Sequence, residues 1–441
     1  MGLRDRIVAE REQRAAVDGT EYYRRRLLEE VNFAELAELT DAQRRVRLER
    51  IVGQMVSREG PVMTTSQRTA LIRRVIDEAV GLGVLEPLLA DPSVTEIMVN
   101  GPGEVWIERD GRIEPADARF SSESQLYQTI DRIVSQVNRR VDESSPMVDA
   151  RLPTGERVNV IIPPLSLIGP VLTIRRFPRR FTLSELVEMG TLDEPTRRLL
   201  SAFVRGRLNI VISGGTGAGK TTLLNALSSA ILERERIVTI EESAELQLQQ
   251  RHVISLEARP PNVEGKAEVT IRDLVRNSLR MRPDRIIIGE VRGIETLDML
   301  QALNTGHEGS LVTVHANTAD DALYRLETLA TMSDLHIPHA ALREYINNAI
   351  HAIVQIERGA DGARRVTEVA AVASRRGEPF RLQTAMRSEL DPVGPDRRQP
   401  ARLHHFALPE RITQQLTLAG VEVPASFALA AGASAPTREA V

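Results

Sequence analysis

The chain of 441 residues contains no cysteine. Disulfides and zinc sites built on thiolates are therefore excluded. Aromatic residues make up 3% of it, with a single Trp, which leaves little for the stacking platforms that single-stranded nucleic acids require. Positive charge is not in surplus: 57 Lys and Arg face 61 Asp and Glu, for a net charge of −4. Duplex-binding proteins carry the opposite balance, so nucleic acid is not expected as the main partner. No apolar run approaches the roughly 18 residues of a membrane-spanning helix. The opening MGLRDRIVAEREQR mixes both charges and lacks a signal peptide's apolar core. A cytoplasmic protein of two or three domains is the expectation. Lysine is the last scarcity. Only Lys220 and Lys266 occur, and the rest of the 57 are Arg.

Residues 1–60 hold 12 Arg and 12 Asp or Glu. Leu27, Leu28, Val31, Leu36 and Leu39 recur near helical spacing, and Thr40 in LTDAQ suits an N-cap. This region reads as a charged helical extension. Residues 61–178 read as a smaller α+β domain. There QRTALIRRVIDEAVGLG and QLYQTIDRIVSQVNRR have helical patterns, while EIMVN, VWIERDGRI, ERVNVIIPPL and PVLTIRRF are strand-like, with Asp110 and Gly111 marking a turn. FPRRFT, at 177–182, supplies the break, and 179–182 is assigned as linker. From 183 to 375, NIVIS, IVTIEE, RIIIGE, SLVTVHAN and HAIVQI alternate with helical stretches. That alternation predicts an α/β fold with a mostly parallel sheet buried on both faces. Residues 376–441 are less periodic and read as a tail. Its end, ALAAGASAPTREAV, is rich in small residues and expected to be disordered.

One of the two lysines stands in GGTGAGKTT, which is Gly214, Gly215, Thr216, Gly217, Ala218, Gly219, Lys220, Thr221 and Thr222. Gly214, Gly219, Lys220 and Thr221 satisfy G-x-x-x-x-G-K-[ST], with a strand running in and a helix running out. Glycines let the backbone curl so that N–H groups face an anion, and the helix N-terminus adds its dipole. A compact ammonium can reach along the β- and γ-phosphates, where a guanidinium is wider and forks. The geometry accounts for a Lys in a chain that otherwise uses Arg. ATP with Mg²⁺ is the expected ligand, and the Thr221 hydroxyl should meet the metal. Lys266 lies in PPNVEGKAEVTIRD and reads as an exposed loop residue.

Hydrolysis needs acids over the last phosphate. RPDRIIIGEVRG is an apolar strand ending in Glu290, the layout of a Walker B element, and Glu290 is expected to orient the attacking water. IVTIEE ends in Glu241 and Glu242, which as strand neighbours point to opposite faces. Glu241 is read toward the phosphates, with a structural or salt-bridging pair as the alternative. NTGHEGSLVTVHAN places His307 and His315 around a strand. Metal-ligand spacing is absent there, so sensing of the γ-phosphate stands against an ordinary hydrogen-bonded role. Arg175, Arg176, Arg151 and Arg157 precede the nucleotide core. Surface ion pairing is one reading of them, and transition-state contacts in the manner of arginine fingers the other.

Five ordered blocks, LLADPSVTEIMVNGPGEVWIERDGRI, DARLPTGERVNV, GGTGAGKTT, LVRNSLRMRPDRIIIGEVRG and MLQALNTGHEGSLVTVHAN, resemble the secretion-superfamily ATPases. The resemblance is closest to the CpaF-like branch, motors of tight-adherence (Flp-type) pili. It runs from about 70 to 375 and implies a RecA-like P-loop ATPase domain behind the smaller domain. It further implies a homo-hexameric ring that docks on inner-membrane platform proteins and powers pilus assembly or secretion. The family's Asp box, usually I-E-D, falls on Glu241 and Glu242, where the second acid is a methylene longer. Glu242 is set beside the metal, with Glu241 as the alternative. The histidine box falls on His307 and His315, and the trans-acting arginines fall among Arg175, Arg176 and Arg157. A type IV secretion ATPase for conjugation or effectors shares this core, and a nucleotide-switched binding module is the reading without turnover.

Overall fold

Two units, Met1–Pro178 and Arg179–Val441, make up the computed structural model. It describes residues 19–428 and 437–439, except 32–35, 37–38, 62, 110–111, 138, 177–179, 260, 262–265, 334, 336, 375–377 and 395–398. The first 18 residues, the turn expected at Asp110 and Gly111, residue 179 of the linker and most of the small-residue end lie outside the described residues. Among the described residues no helix is long and apolar enough to cross a membrane.

In the first unit a helix over 19–30 precedes α1 (Asp41–Glu59) and α2 (Thr65–Val80). Thr40 and Thr64 cap the latter two, each closing a capping box with the Gln three residues on. Leu27, Leu48, Val52, Val75 and Ile76 meet in one core. The helical region therefore continues to 80, past the boundary read at 60, because α2 shares one apolar core with α1 and the helix before it. The remainder is a six-stranded antiparallel sheet in the order β3-β2-β1-β6-β5-β4. Its strands are β1 (Val94–Asn100), β2 (Val105–Arg109), β3 (Arg112–Pro115), β4 (Met147–Arg151), β5 (Arg157–Ile161) and β6 (Val171–Arg175). Ile97, Val99, Val158, Val160, Leu172 and Ile174 alternate onto one face and pack on Leu126, Ile130 and Ile133 of α3 (Glu123–Gln136).

The second unit is built on a larger sheet in the order β15-β14-β13-β12-β7-β11-β10-β8-β9, with β16 (Thr437–Glu439) on β14. Strands β7 (Ile210–Ser213), β8 (Ile237–Glu241), β9 (Val253–Glu257), β10 (Arg285–Ile288), β11 (Leu311–Val314) and β12 (Ala352–Arg358) run parallel. Beyond β12, the strands β13 (Arg364–Val372), β14 (Arg381–Leu390) and β15 (Ala401–His405) are antiparallel. The two-residue period of a strand divides the apolar runs between two cores. Ile210, Ile212 and Ile287 join Leu223, Leu224 and Leu227 of α4 (Lys220–Ser228) on one face. Val211, Ile286 and Ile288 join Leu326 and Leu329 on the other.

This is the RecA-like P-loop architecture expected from the motif blocks. The segment from 376 differs from the tail read in the sequence. Met386 of β14, Leu408, Ile412 and Leu416 of α5 (Glu410–Leu418), and Phe427 enter the first core. Antiparallel strands at a sheet's flank keep one face in solvent, so RLQTAMRSEL carries too much charge to look like a buried strand.

Candidate active site

β7 is buried along its whole length and is followed by Gly214, where the chain must turn in very little room. A Cβ on Gly214 would lie 2.2 Å from the main-chain oxygen of Ile356, in β12. Gly217 and Gly219 take φ of +70° and +99°, which L side chains rarely adopt. The curl ends where α4 begins at Lys220, with the Leu223 N–H bonded to Gly219 O. The N–H groups of that first turn have no partner within the helix, so the hollow before it is suited to an anion. Gly215, Thr216 and Gly217 are exposed, Ala218 is buried, and Thr221 and Thr222 are half-buried.

From this loop a chain of polar contacts crosses the carboxyl ends of the strands. Lys220 Nζ donates to Gly214 O and Gly215 O at 3.0 Å each and lies 3.3 Å from His315 Nε2. His315 follows β11, whose last residue pairs with Ser213, which sets it beside the loop. Its Nε2 is 3.1 Å from Glu290 Oε1, although among the described residues that oxygen takes no hydrogen bond. Glu290 Oε2 accepts from Arg292 Nη2 at 3.0 Å, and Arg292 Nη1 reaches Glu242 Oε2 at 2.8 Å. Burial lowers the pKa of Lys220, opposed by the Glu290 charge and aided by Arg292. Burial and Lys220 lower that of His315, so the imidazole is held neutral beside the ammonium. The hydrogen bond to Glu290 raises that of Arg292.

Glu241 is placed differently from the reading that aimed it at the phosphates. Its side chain is buried, and Oε2 accepts the N–H groups of Glu245 and Leu246 at 2.7 and 3.0 Å. It packs under Gly289, where a Cβ would come within 2.8 Å of Glu241 Cγ. Glu241 therefore pins the loop that carries Glu242, while Glu242 itself is exposed and paired with Arg292. Desolvation pushes the Glu241 carboxyl from 4.5 up to about 7, against those two N–H bonds. Among the described residues its Oε1 has no hydrogen-bond partner, which leaves that oxygen to hold the proton. Between these two pKa values the folded chain keeps a proton that the unfolded chain has released, so stability falls as pH rises. From pH 5 to 8 the wild type should lose up to about 3 kcal/mol relative to Glu241→Gln. Urea unfolding at paired pH values measures this, and a wild-type-minus-variant difference independent of pH would contradict the shifted carboxyl.

The other expected residues are spread more widely. His307 Nδ1 lies 3.3 Å from Ala302 O, and among the described residues no hydrogen bond joins it to Lys220, Glu290 or His315. In the first unit, Arg175 pairs in register with Glu96 on one side and Arg157 on the other, and Arg157 with Arg151. Arg176 is tied to the main-chain oxygens of Asp91 and Val94. Lys266 is exposed. Sequence reasoning missed two arginines at the loop. Arg292 stands two residues past Glu290, where one more arginine does not stand out in a chain that uses Arg almost throughout. Arg364 Nε donates to Gly217 O at 3.0 Å from the start of β13, 147 positions away, and has no local signal.

Among the described residues no three His, Cys, Asp or Glu gather into a cage for a metal. Mg²⁺ keeps most of its waters and is held by one or two protein oxygens together with substrate phosphates. Glu290 Oε1, which accepts no hydrogen bond among the described residues, and the half-buried Thr221 at the head of α4 fit such an ion.

The profile of the family described as Type II/IV secretion system protein matches residues 78–390. A putative conjugal transfer protein of Mycobacterium tuberculosis is 39% identical over 316 residues, covering 70% of this chain and 89% of its own. The type IV secretion system protein PtlH of Bordetella pertussis is 38% identical over 314 residues, covering 64% of this chain and 91% of its own. Among solved structures, the VirB11 ATPase of the Brucella suis type IV secretion system is 30% identical with a TM-score of 0.36, over 65% of this chain and 95% of that one. The pilus retraction motor PilT is 20% identical with a TM-score of 0.47, over 67% and 80%.

Proposed function

The chain belongs to the type II/IV secretion system protein family, and on that premise we propose that it is an ATP-hydrolysing motor. The observation that carries the proposal is the contact chain Lys220–His315–Glu290–Arg292 across the strand ends, beside a phosphate-type loop. Ligands of open parallel sheets bind at that end. Lys220 exchanges the carbonyls of Gly214 and Gly215 for phosphate oxygens, and the loop N–H groups cradle the rest. Glu290 holds and orients the attacking water, and His315, neutral and between Lys220 and Glu290, reports whether the last phosphate is present. Thr221 and Glu242 would hold Mg²⁺, which when bound offsets charge on the phosphate oxygens.

The same proposal extends to assembly. The motor works as a homo-hexamer at the inner face of the membrane, on platform proteins, and moves pilus subunits or secreted protein. The five motif blocks favour the Flp-type, CpaF-like branch. A second reading, a conjugation or type IV secretion ATPase, is favoured by what the Mycobacterium and Bordetella relatives are named for. In a ring, Arg175, Arg176 and Arg157 are the candidates for charge donated to a neighbour's triphosphate. The deciding experiment is phosphate release at about millimolar ATP, with Lys220→Ala as comparison. Loss of the ammonium should cost at least about 10²–10³-fold, the scale of removing one transition-state donor. Equal rates would end the proposal. Solution mass with and without ATP tests the ring.

A further inference from the structure

Arg292 is the cation of the site whose two terminal nitrogens serve different strands. Nη2 bonds Glu290, just past the end of β10, and Nη1 bonds Glu242, just past the end of β8. These strands are parallel neighbours, in register from Arg285 and Ile237 to Ile288 and Ile240. Beyond Glu242 the chain is held by Glu241, which takes the N–H groups of Glu245 and Leu246. The loop after β8 is thus held at its first residue by an exposed guanidinium and, three and four residues further on, by a buried carboxyl. Without Arg292, two carboxylates would face each other across that gap. A guanidinium can hold one on each nitrogen because its donors are forked and rigid, which an ammonium cannot reproduce.

Stability does not account for this arrangement. The Arg292 side chain is 60% exposed and that of Glu242 65%, against 21% for Glu290, and a bridge with so exposed an arm and cation contributes little. What the bridge does is set the relative position of two acids. We propose that Arg292 is a positioning residue that couples the loop after β8 to Glu290, so that both carboxylates are placed together for the bound triphosphate. This rests on the ATPase reading above.

The experiment compares wild type, Arg292→Ala, Arg292→Lys, Glu242→Gln and the Arg292→Ala/Glu242→Gln double variant in phosphate release over a range of ATP concentrations. Displacing Glu290 should lower kcat about tenfold in Arg292→Ala while KM stays within about twofold, with Arg292→Lys between. Because both partners act through one bridge, the double variant should be no slower than the slower single. An unchanged kcat, a loss carried by KM, or a double-variant loss equal to the product of the single losses would each overturn the proposal. If the wild type releases no more phosphate than Lys220→Ala, the motor reading fails on its own. The coupling is then judged by amide hydrogen exchange of Glu245 and Leu246 without nucleotide. Faster exchange in Arg292→Ala upholds it, and unchanged exchange overturns it.

Discussion

With Glu290 changed to Gln, the protein is expected to bind ATP as tightly as the wild type and to release phosphate about 10²–10⁴-fold more slowly, the range for losing a positioned general base. The substitution keeps shape and length. The amide oxygen can still accept from Arg292 Nη2, the contact made now at 3.0 Å, so the end of β10 should stay in place. The charge is lost, and with it the ability to draw a proton from water. Equilibrium binding of a fluorescent ATP analogue and a single-turnover assay separate the two effects. Undiminished phosphate release would remove Glu290 from its assigned role. A loss of affinity with normal turnover of what is bound would move the residue to ground-state binding. Lys220→Ala should instead lose both affinity and rate, because it strips charge from the cradle itself.

The contrast between these acids shows what the sequence makes legible. GGTGAGKTT is readable because the loop, its strand and its helix are contiguous, and each residue's task is local. Glu290 is readable for the same reason, at the end of four buried residues in β10. Glu241 shares that layout, yet its partners are the N–H groups four and five residues on. Only the path of the loop decides that a strand-end acid turns inward rather than toward a ligand. Arg292 and Arg364 are hidden by composition. In a chain that writes nearly all its positive charge as Arg, one more arginine near a motif carries no signal. The parallel strands were legible because burial on both faces leaves unbroken apolar runs. β14 and β15 were not, since they mix charge into an alternating pattern and are fixed by pairing with β13 rather than by their own periodicity.

Far from this chemistry, Arg285→Ala is expected to destabilise the second unit by about 3–5 kcal/mol, the scale of breaking a buried ion pair by removing one partner. Arg285 opens β10 with 0% of its surface exposed and engages Glu235 through both sides of its fork, at 2.8 and 3.0 Å. Its third nitrogen donates to Gly309 O at 2.9 Å. Gly309 has φ of +85°, and a Cβ there would meet Arg285 Nη1 at 2.6 Å, so only glycine allows the approach. Asn209 Oδ1 takes the N–H groups of Gly309 and Ser310 from the other side, fixing the turn that feeds β11. Removing the guanidinium leaves Glu235 buried with Arg207, at 3.1 Å, as its remaining charged partner. Arg285→Lys should recover only part of the loss, since one ammonium cannot bond both carboxylate oxygens and Gly309 together. Replacing both partners, Arg285→Met with Glu235→Leu, should cost less than Arg285→Ala alone, because it removes the stranded charge. Urea midpoints of the four proteins check the order. A double variant less stable than the single would mean that the pair's attraction, rather than the penalty of an unpaired acid, dominates at the amino ends of these strands.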